Sequence, residues 1–91
     1  MTRAKRTDAN QADIVAGLRR AGASVLDLSG VGGGAGDILV GFRGEDYQLE
    51  IKSEGGRLNK RQIKFHAEWK GRPINTCWTL EEALQVIGAI E

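Results

Sequence analysis

Asp37-Ile38-Leu39-Val40-Gly41-Phe42-Arg43-Gly44-Glu45-Asp46-Tyr47-Gln48-Leu49-Glu50-Ile51-Lys52 reads as two strands, Asp37–Phe42 and Tyr47–Lys52, joined by a tight turn within Arg43–Asp46. Side chains alternate along a strand, so Glu50 and Lys52 share one face while Leu49 and Ile51 take the other. If the turn uses all four residues, Phe42 pairs with Tyr47 and Asp37 lies opposite Lys52. If it uses only Arg43-Gly44, Phe42 pairs with Glu45 and Asp37 lies opposite Glu50. Directly opposed residues point the same way, so both registers gather Asp37, Glu50 and Lys52 on one face, about 5–8 Å apart. A one-residue slip would separate them, and would also misplace the apolar residues.

Two acids and a lysine in that arrangement suit a hard divalent cation. Mg²⁺ takes carboxylate oxygens, keeps waters and accepts substrate phosphate. Asp37 and Glu50 would hold it, with the Ile51 backbone carbonyl as a third ligand. Such an ion lowers the pKa of a bound water and neutralises charge developing on a phosphate. Lys52 would orient the attacking water or stabilise the pentacovalent phosphate. The structural alternative is a solvated Asp–Lys–Glu ion-pair cluster.

Outward from the hairpin, the chain reads αβββαβα. A first helix over Asp8–Ala21 has Asp8 and Gln11 as a capping box, an apolar stripe of Ile14, Val15 and Leu18, and Gly22 as its stop. A strand over Ala23–Leu28 leads into the glycine loop 29–36. A second helix over Asn59–Lys70 stops at Gly71, and Pro73–Trp78 forms the last strand. Thr79 and Glu82 cap a final helix with the stripe Leu80, Ala83, Leu84, Ile87 and Ile90.

Gly30-Val31-Gly32-Gly33-Gly34-Ala35 superficially matches a dinucleotide fingerprint, but a strand follows it where that fingerprint needs a helix. No Gly-Lys-Ser/Thr follows either, which excludes a P-loop. The loop is a flexible lead-in to a strand, or it lets a ligand backbone come close.

At 91 residues, with 41% hydrophobic and 27% charged residues, the chain fits one globular domain, residues 1–91, rather than a disordered one. No apolar run is long enough to span a membrane, and none follows the basic start as a signal peptide requires. One cysteine excludes an internal disulfide and suits a reducing cytoplasm. With His66 and Cys77 alone, a four-ligand zinc site and histidine-rich nuclease chemistry are excluded. Cys77 is expected to be a small buried hydrophobe, and His66 to pack or lie at the surface. With so few aromatics available, Trp69 and Trp78 are expected in the core.

The net charge of +1 is segregated. Residues 1–6 form a basic arm with Arg3, Lys5 and Arg6. Residues 52–72 hold seven Lys or Arg against Glu54 and Glu68. Such a block calls for a local anionic partner, or is a solvated helix face. Leu58, Gln62, Phe65 and Trp69 recur at helical spacing, so Gln62 falls in the core-facing stripe and its amide needs partners, for which the sheet carboxylates are near. Lys60, Arg61 and Lys64 lie on another face, with Arg57 just before the helix, an arrangement suited to phosphates.

This pattern resembles the PD-(D/E)XK nuclease superfamily, specifically small phage or prophage proteins similar to VRR-NUC domains. The likeness runs through Gly32-Gly33-Gly34-Ala35-Gly36-Asp37-Ile38-Leu39-Val40-Gly41, Leu49-Glu50-Ile51-Lys52 and Leu58-Asn59-Lys60-Arg61-Gln62. It continues in Phe65-His66-Ala67-Glu68-Trp69-Lys70-Gly71 and Thr79-Leu80-Glu81-Glu82-Ala83-Leu84. The resemblance implies an α+β, restriction-endonuclease-like αβββαβ core, a mixed central sheet flanked by helices, plus a C-terminal helix. It implies Asp37 and Glu50 as metal ligands, Lys52 as the catalytic lysine and Gln62 as the helix glutamine. Gly36 stands where the family often has proline. Asn10-Gln11-Ala12-Asp13 stands where it often places a glutamate, so Gln11 or Asp13 is the first-helix contributor.

The expected function is a Mg²⁺- or Mn²⁺-dependent DNA endonuclease in a bacterial or phage-infected cytoplasm, acting on branched or flap DNA. The DNA contacts expected are Arg57, Lys60, Arg61, Lys64, Arg3, Lys5 and Arg6. A homodimer is expected from the small size. The alternatives are a non-catalytic DNA-binding module or an assembly subunit keeping the nuclease fold.

Overall fold

The computed structural model describes residues 9–91, so the basic arm of Arg3, Lys5 and Arg6, and the Asp8 cap, lie outside the described residues. The elements run α1 (Ala9–Arg20), β1 (Ser24–Asp27), β2 (Ile38–Phe42), β3 (Glu45–Ile51), α2 (Lys60–Glu68), β4 (Asn75–Cys77) and α3 (Leu80–Val86). This is an α+β fold with a four-stranded mixed sheet in the order β1-β2-β3-β4. The first three strands are antiparallel neighbours, and β4 runs parallel to β3. A parallel pair requires a crossover, and the segment carrying α2 makes it. No helix among the described residues is long and apolar enough to cross a membrane.

Of the two registers open to the hairpin, the molecule adopts the shorter turn. Phe42 pairs with Glu45 and Ile38 with Leu49. Arg43 and Gly44 both have positive φ, 53° and 82°. Those are the signs of a type I′ turn, whose twist matches the right-handed twist of its strands. Glu45 and Asp46 therefore join β3 instead of the turn.

The alternation then sorts the sheet into two faces. Val25, Ile38, Val40, Leu49, Ile51 and Cys77 form the buried face, closed by Ile14 and Leu18 of α1, by Ala83 of α3 and by Ile87, its C-cap. Each of these side chains contributes roughly 1.5–3 kcal/mol when fully buried, less for the smaller ones, so this aliphatic layer dominates stability. α1 ends in a Schellman motif, with Ala23 N donating to Leu18 O and Gly22 N to Arg19 O. The capping box expected for α3 forms: Thr79 accepts from Glu82 N, and Glu82 accepts from Thr79 N. α3 ends at Val86, which leaves Ile90 outside the stripe and 41% exposed, a correction to the expected face.

The opposite face carries Leu39, Gln48, Glu50 and Thr76, and α2 lies over it. No residue of α2 is buried, although its stripe was expected to face the core. Gln62 and Phe65 are half-buried. α2 also ends at Glu68, because Trp69 turns extended before Gly71 is reached. Trp69 and Trp78 correct the expectation that they fill the core, at 46% and 38% exposed. Trp69 stacks on Phe65, and the Trp78 indole donates to Gly56 O at 3.1 Å. The core closes without them because β-branched and leucine side chains already fill the space between the sheet, α1 and α3.

Candidate metal and phosphate site

The β2–β3 register places Asp37, just before β2, beside Glu50. Asp37 N donates to Leu49 O at 2.8 Å, and Ile51 N donates to Asp37 Oδ2 at 2.7 Å. The aspartate is therefore clamped onto the neighbouring strand through both backbone and side chain. An extended strand points a residue's N–H and C=O to the same edge, so the Ile51 carbonyl faces the Asp37 side as well. Lys52 Nζ lies 3.6 Å from Glu50 Oε2, and the three expected residues do share one face.

Glu50 is 1% exposed and is the one charged residue buried among the described residues. Burial pushes its carboxyl up to about 8, Asp37 beside it adds to the rise by hydrogen bonding and repulsion, and Lys52 opposes it. A buried carboxylate beside a half-buried one, with Lys52 as the counter-charge to both, is unfavourable with both ionised, so the pair holds a proton or attracts a cation.

α2 supplies the lid. Asn59 caps it in a capping box with Gln62: Gln62 N donates to Asn59 Oδ1 at 2.8 Å, and Asn59 N donates to Gln62 Oε1 at 2.9 Å. With its oxygen so engaged, Gln62 turns Nε2 onto Glu50 Oε2 at 3.0 Å. The carboxylates are indeed the partners that this amide needs. The box is legible in Asn59-Lys60-Arg61-Gln62, an Asn followed three residues later by Gln, and it adds the N-terminal cap to the helix whose stripe already carried Gln62.

His66 was missed. It sits four residues after Gln62, on the same side of the helix. Its Nε2 lies 3.8 Å from Glu50 Oε1, and its side chain is 11% exposed. Burial lowers its pKa, nearby Lys52 lowers it further, and Asp37 pulls the other way. The spacing from Gln62 was the available signal. Cys77 behaves as expected, fully buried with its thiol pushed up to about 11 by burial and by Glu82.

On α1, Asp13 is exposed, and Gln11 lines a separate cleft with Val15, Arg19, Val25 and Asp27. The α1 residue tied to the end of β3 is Asn10, whose Nδ2 donates to Lys52 O at 2.9 Å and Trp78 O at 3.3 Å. Arg57, Lys60, Arg61 and Lys64 are all exposed. Lys64 pairs with Glu68, whereas Arg57, Lys60 and Arg61 form no ion pair among the described residues.

Between the glycine loop and α2 lies a polar cleft of about 280 Å³, lined by Gly32, Gly33, Asp37, Asn59, Arg61 and Gln62. One wall exists because Gly34, at φ +95°, abuts α2, where an added Cβ would meet Arg61 O at 2.6 Å and Phe65 Cβ at 2.9 Å. Close approach is thus required by the chain's own helix. Gly34→Ala should cost about 2 kcal/mol or more in urea denaturation, combining a backbone clash with left-handed strain. Gly33→Ala, with φ +71° but nothing within 4 Å, should cost about half as much. Equal losses at the two positions would show that contact with α2 is not what matters.

No group of three His, Cys, Asp or Glu side chains among the described residues is preassembled to hold a metal ion. A cation here would rest on the carboxylate pair, a backbone carbonyl, waters and substrate oxygens, which is how Mg²⁺ is usually held. The donor chemistry fits, because Glu50 Oε1 is buried with no hydrogen-bond partner. Compared with protein-family models, with curated proteins and with solved structures, the chain finds no match in any of the three.

Proposed function

We propose that this chain is a Mg²⁺- or Mn²⁺-dependent DNA endonuclease built on a restriction-endonuclease-like core. The observation that carries the reading is the buried Glu50 carboxylate set against Asp37, with Lys52 and Gln62 on it, where Asp37 and Gln62 also line a polar cleft edged by Arg61. A structural ion-pair cluster would sit in solvent with its charges balanced. Here one member, Glu50, is buried, and two carboxylates share one lysine, which costs stability and is best accounted for by function.

Asp37, Glu50 and the Ile51 carbonyl would hold the ion. When bound, it supplies a water of lowered pKa and neutralises charge on the scissile phosphate. Gln62 fixes the Glu50 carboxylate through Oε2, and the Ile51 N–H fixes Asp37. Lys52 presents its ammonium group beside the carboxylates, where it orients the attacking water or stabilises the phosphorane. Arg57, Lys60 and Arg61 would contact flanking phosphates, positioning the DNA without reading its sequence. A homodimer would bring two such sites to two strands, and the family resemblance points to branched or flap DNA.

The test is incubation of the purified protein with linear, nicked and branched DNA in Mn²⁺. Cleavage is expected in Mn²⁺ and absent in chelator, and Asp37→Ala should abolish it. Cleavage that persists in both Asp37→Ala and Lys52→Ala would overturn the site. Salt-sensitive binding with no cleavage would leave only a DNA-binding module.

A further inference from the structure

Two facing atoms in the site have nothing to bond to. Glu50 Oε1 and His66 Nε2 are both buried without a hydrogen-bond partner, and they stand 3.8 Å apart. That separation is too long for a direct hydrogen bond. The other Glu50 oxygen is already engaged, by Gln62 Nε2 at 3.0 Å and by Lys52 Nζ at 3.6 Å. Leaving a buried polar atom unpaired costs about 1–3 kcal/mol, and here two such atoms are aimed at each other. A common partner between them would satisfy both atoms.

The spacing suits a metal ion. A carboxylate oxygen and an imidazole nitrogen bound at about 2.0–2.2 Å to one cation stand about 3 Å apart at right angles and about 3.8 Å apart at the widest usual angle. The pair sits at the open end of that range, so an ion would draw the two atoms together, the set not being preassembled without one. The helix register supports the same conclusion, since the capping box that locks Gln62 also fixes the turn that carries His66. We propose that His66 Nε2 is a ligand of the cation that Glu50 holds, so that the site favours a first-row transition ion such as Mn²⁺ over Mg²⁺. Imidazole is a poor ligand for the hard Mg²⁺ and a good one for the later first-row ions, and Mn²⁺, which also takes oxygen donors, accepts a nitrogen more readily than Mg²⁺ does. The inference rests on the reading of Glu50 as a cation ligand and adds the identity of the preferred ion.

His66 is the only histidine in the chain, so an untagged protein gives an unambiguous test. Electron spin-echo modulation of the Mn²⁺-loaded wild type should show a directly bound ¹⁴N. That signal should change on ¹⁵N-histidine labelling and vanish in His66→Gln. By calorimetry, His66→Gln should weaken Mn²⁺ binding about tenfold or more, with a smaller loss for Mg²⁺. Bound Mn²⁺ without nitrogen modulation in the wild type would overturn the assignment and leave the carboxylate site standing. No Mn²⁺ binding at all would overturn it together with the nuclease reading. The wild-type spectrum decides between these outcomes even if the variant folds poorly.

Discussion

Lys52→Met is expected to lower the rate of DNA cleavage by about 10²–10³-fold while Mn²⁺ still binds. The reason lies in what Lys52 touches. Its ammonium group lies 3.6 Å from Glu50 Oε2, and its side chain is 20% exposed, so it is held beside the carboxylates yet partly open to solvent. A cation held by Asp37 and Glu50 is repelled by that ammonium group, so its removal should leave Mn²⁺ affinity equal or tighter. The loss should therefore fall in kcat, with KM for DNA little changed, as for a group whose interactions strengthen in the transition state. Calorimetry with Mn²⁺ beside single-turnover cleavage checks both halves. If Mn²⁺ binding collapses with cleavage, Lys52 serves to organise the carboxylates and has no part in the chemistry.

Glu50→Gln should do the opposite to function and to stability. Glu50 is an acid whose folded pKa, about 8, stands above its ordinary 4.5, so between those values the folded state binds a proton that the unfolded state has released. Its contribution to stability is fully present below 4.5 and is lost as pH rises through 8. The metal-free wild type should therefore weaken across this window relative to Glu50→Gln, which keeps the shape without the ionisable group. At the alkaline end the variant should be more stable by on the order of 2 kcal/mol, as expected when an under-compensated buried charge is removed. Added Mn²⁺ should raise the melting temperature of the wild type and leave that of the variant unchanged. Urea titrations at the two ends of the window measure the difference. A variant less stable than the wild type at the alkaline end would show that Lys52 and Gln62 already compensate the carboxylate.

The hairpin shows how far sequence reasoning reaches. Its alternation placed Asp37, Glu50 and Lys52 together whichever turn formed, because both candidate registers preserve the face. The turn itself was open. Arg43 and Gly44 both adopt positive φ, and the strand twist selects that turn over a four-residue loop. Gln62 was legible because an amide at an apolar helical position must find a partner, and Glu50 is that partner. His66 escaped because a lone histidine beside a phenylalanine looks like packing, and only the placement of α2 over the sheet turns it toward Glu50. The two tryptophans misled in the opposite sense. A scarcity of aromatics suggested that they fill the core, yet the core is aliphatic and closes on one side of the sheet only.

Local rules acting along the chain were enough to set the order of helices and strands, the caps of α3, the stop of α1 and the shared face of the three charged residues. Each follows from a short-range periodicity or from a hydrogen bond between near neighbours. Tertiary structure alone decided that Glu50 would be sealed from solvent, that Gly34 would abut α2, and that His66 would face an unpartnered oxygen. Those outcomes depend on where a helix lands against a sheet and a loop that are distant in sequence, as when Gly34 meets Arg61 and Phe65. That position is set by the combined packing of the loop, the helix and the strands, which no single stretch of residues encodes.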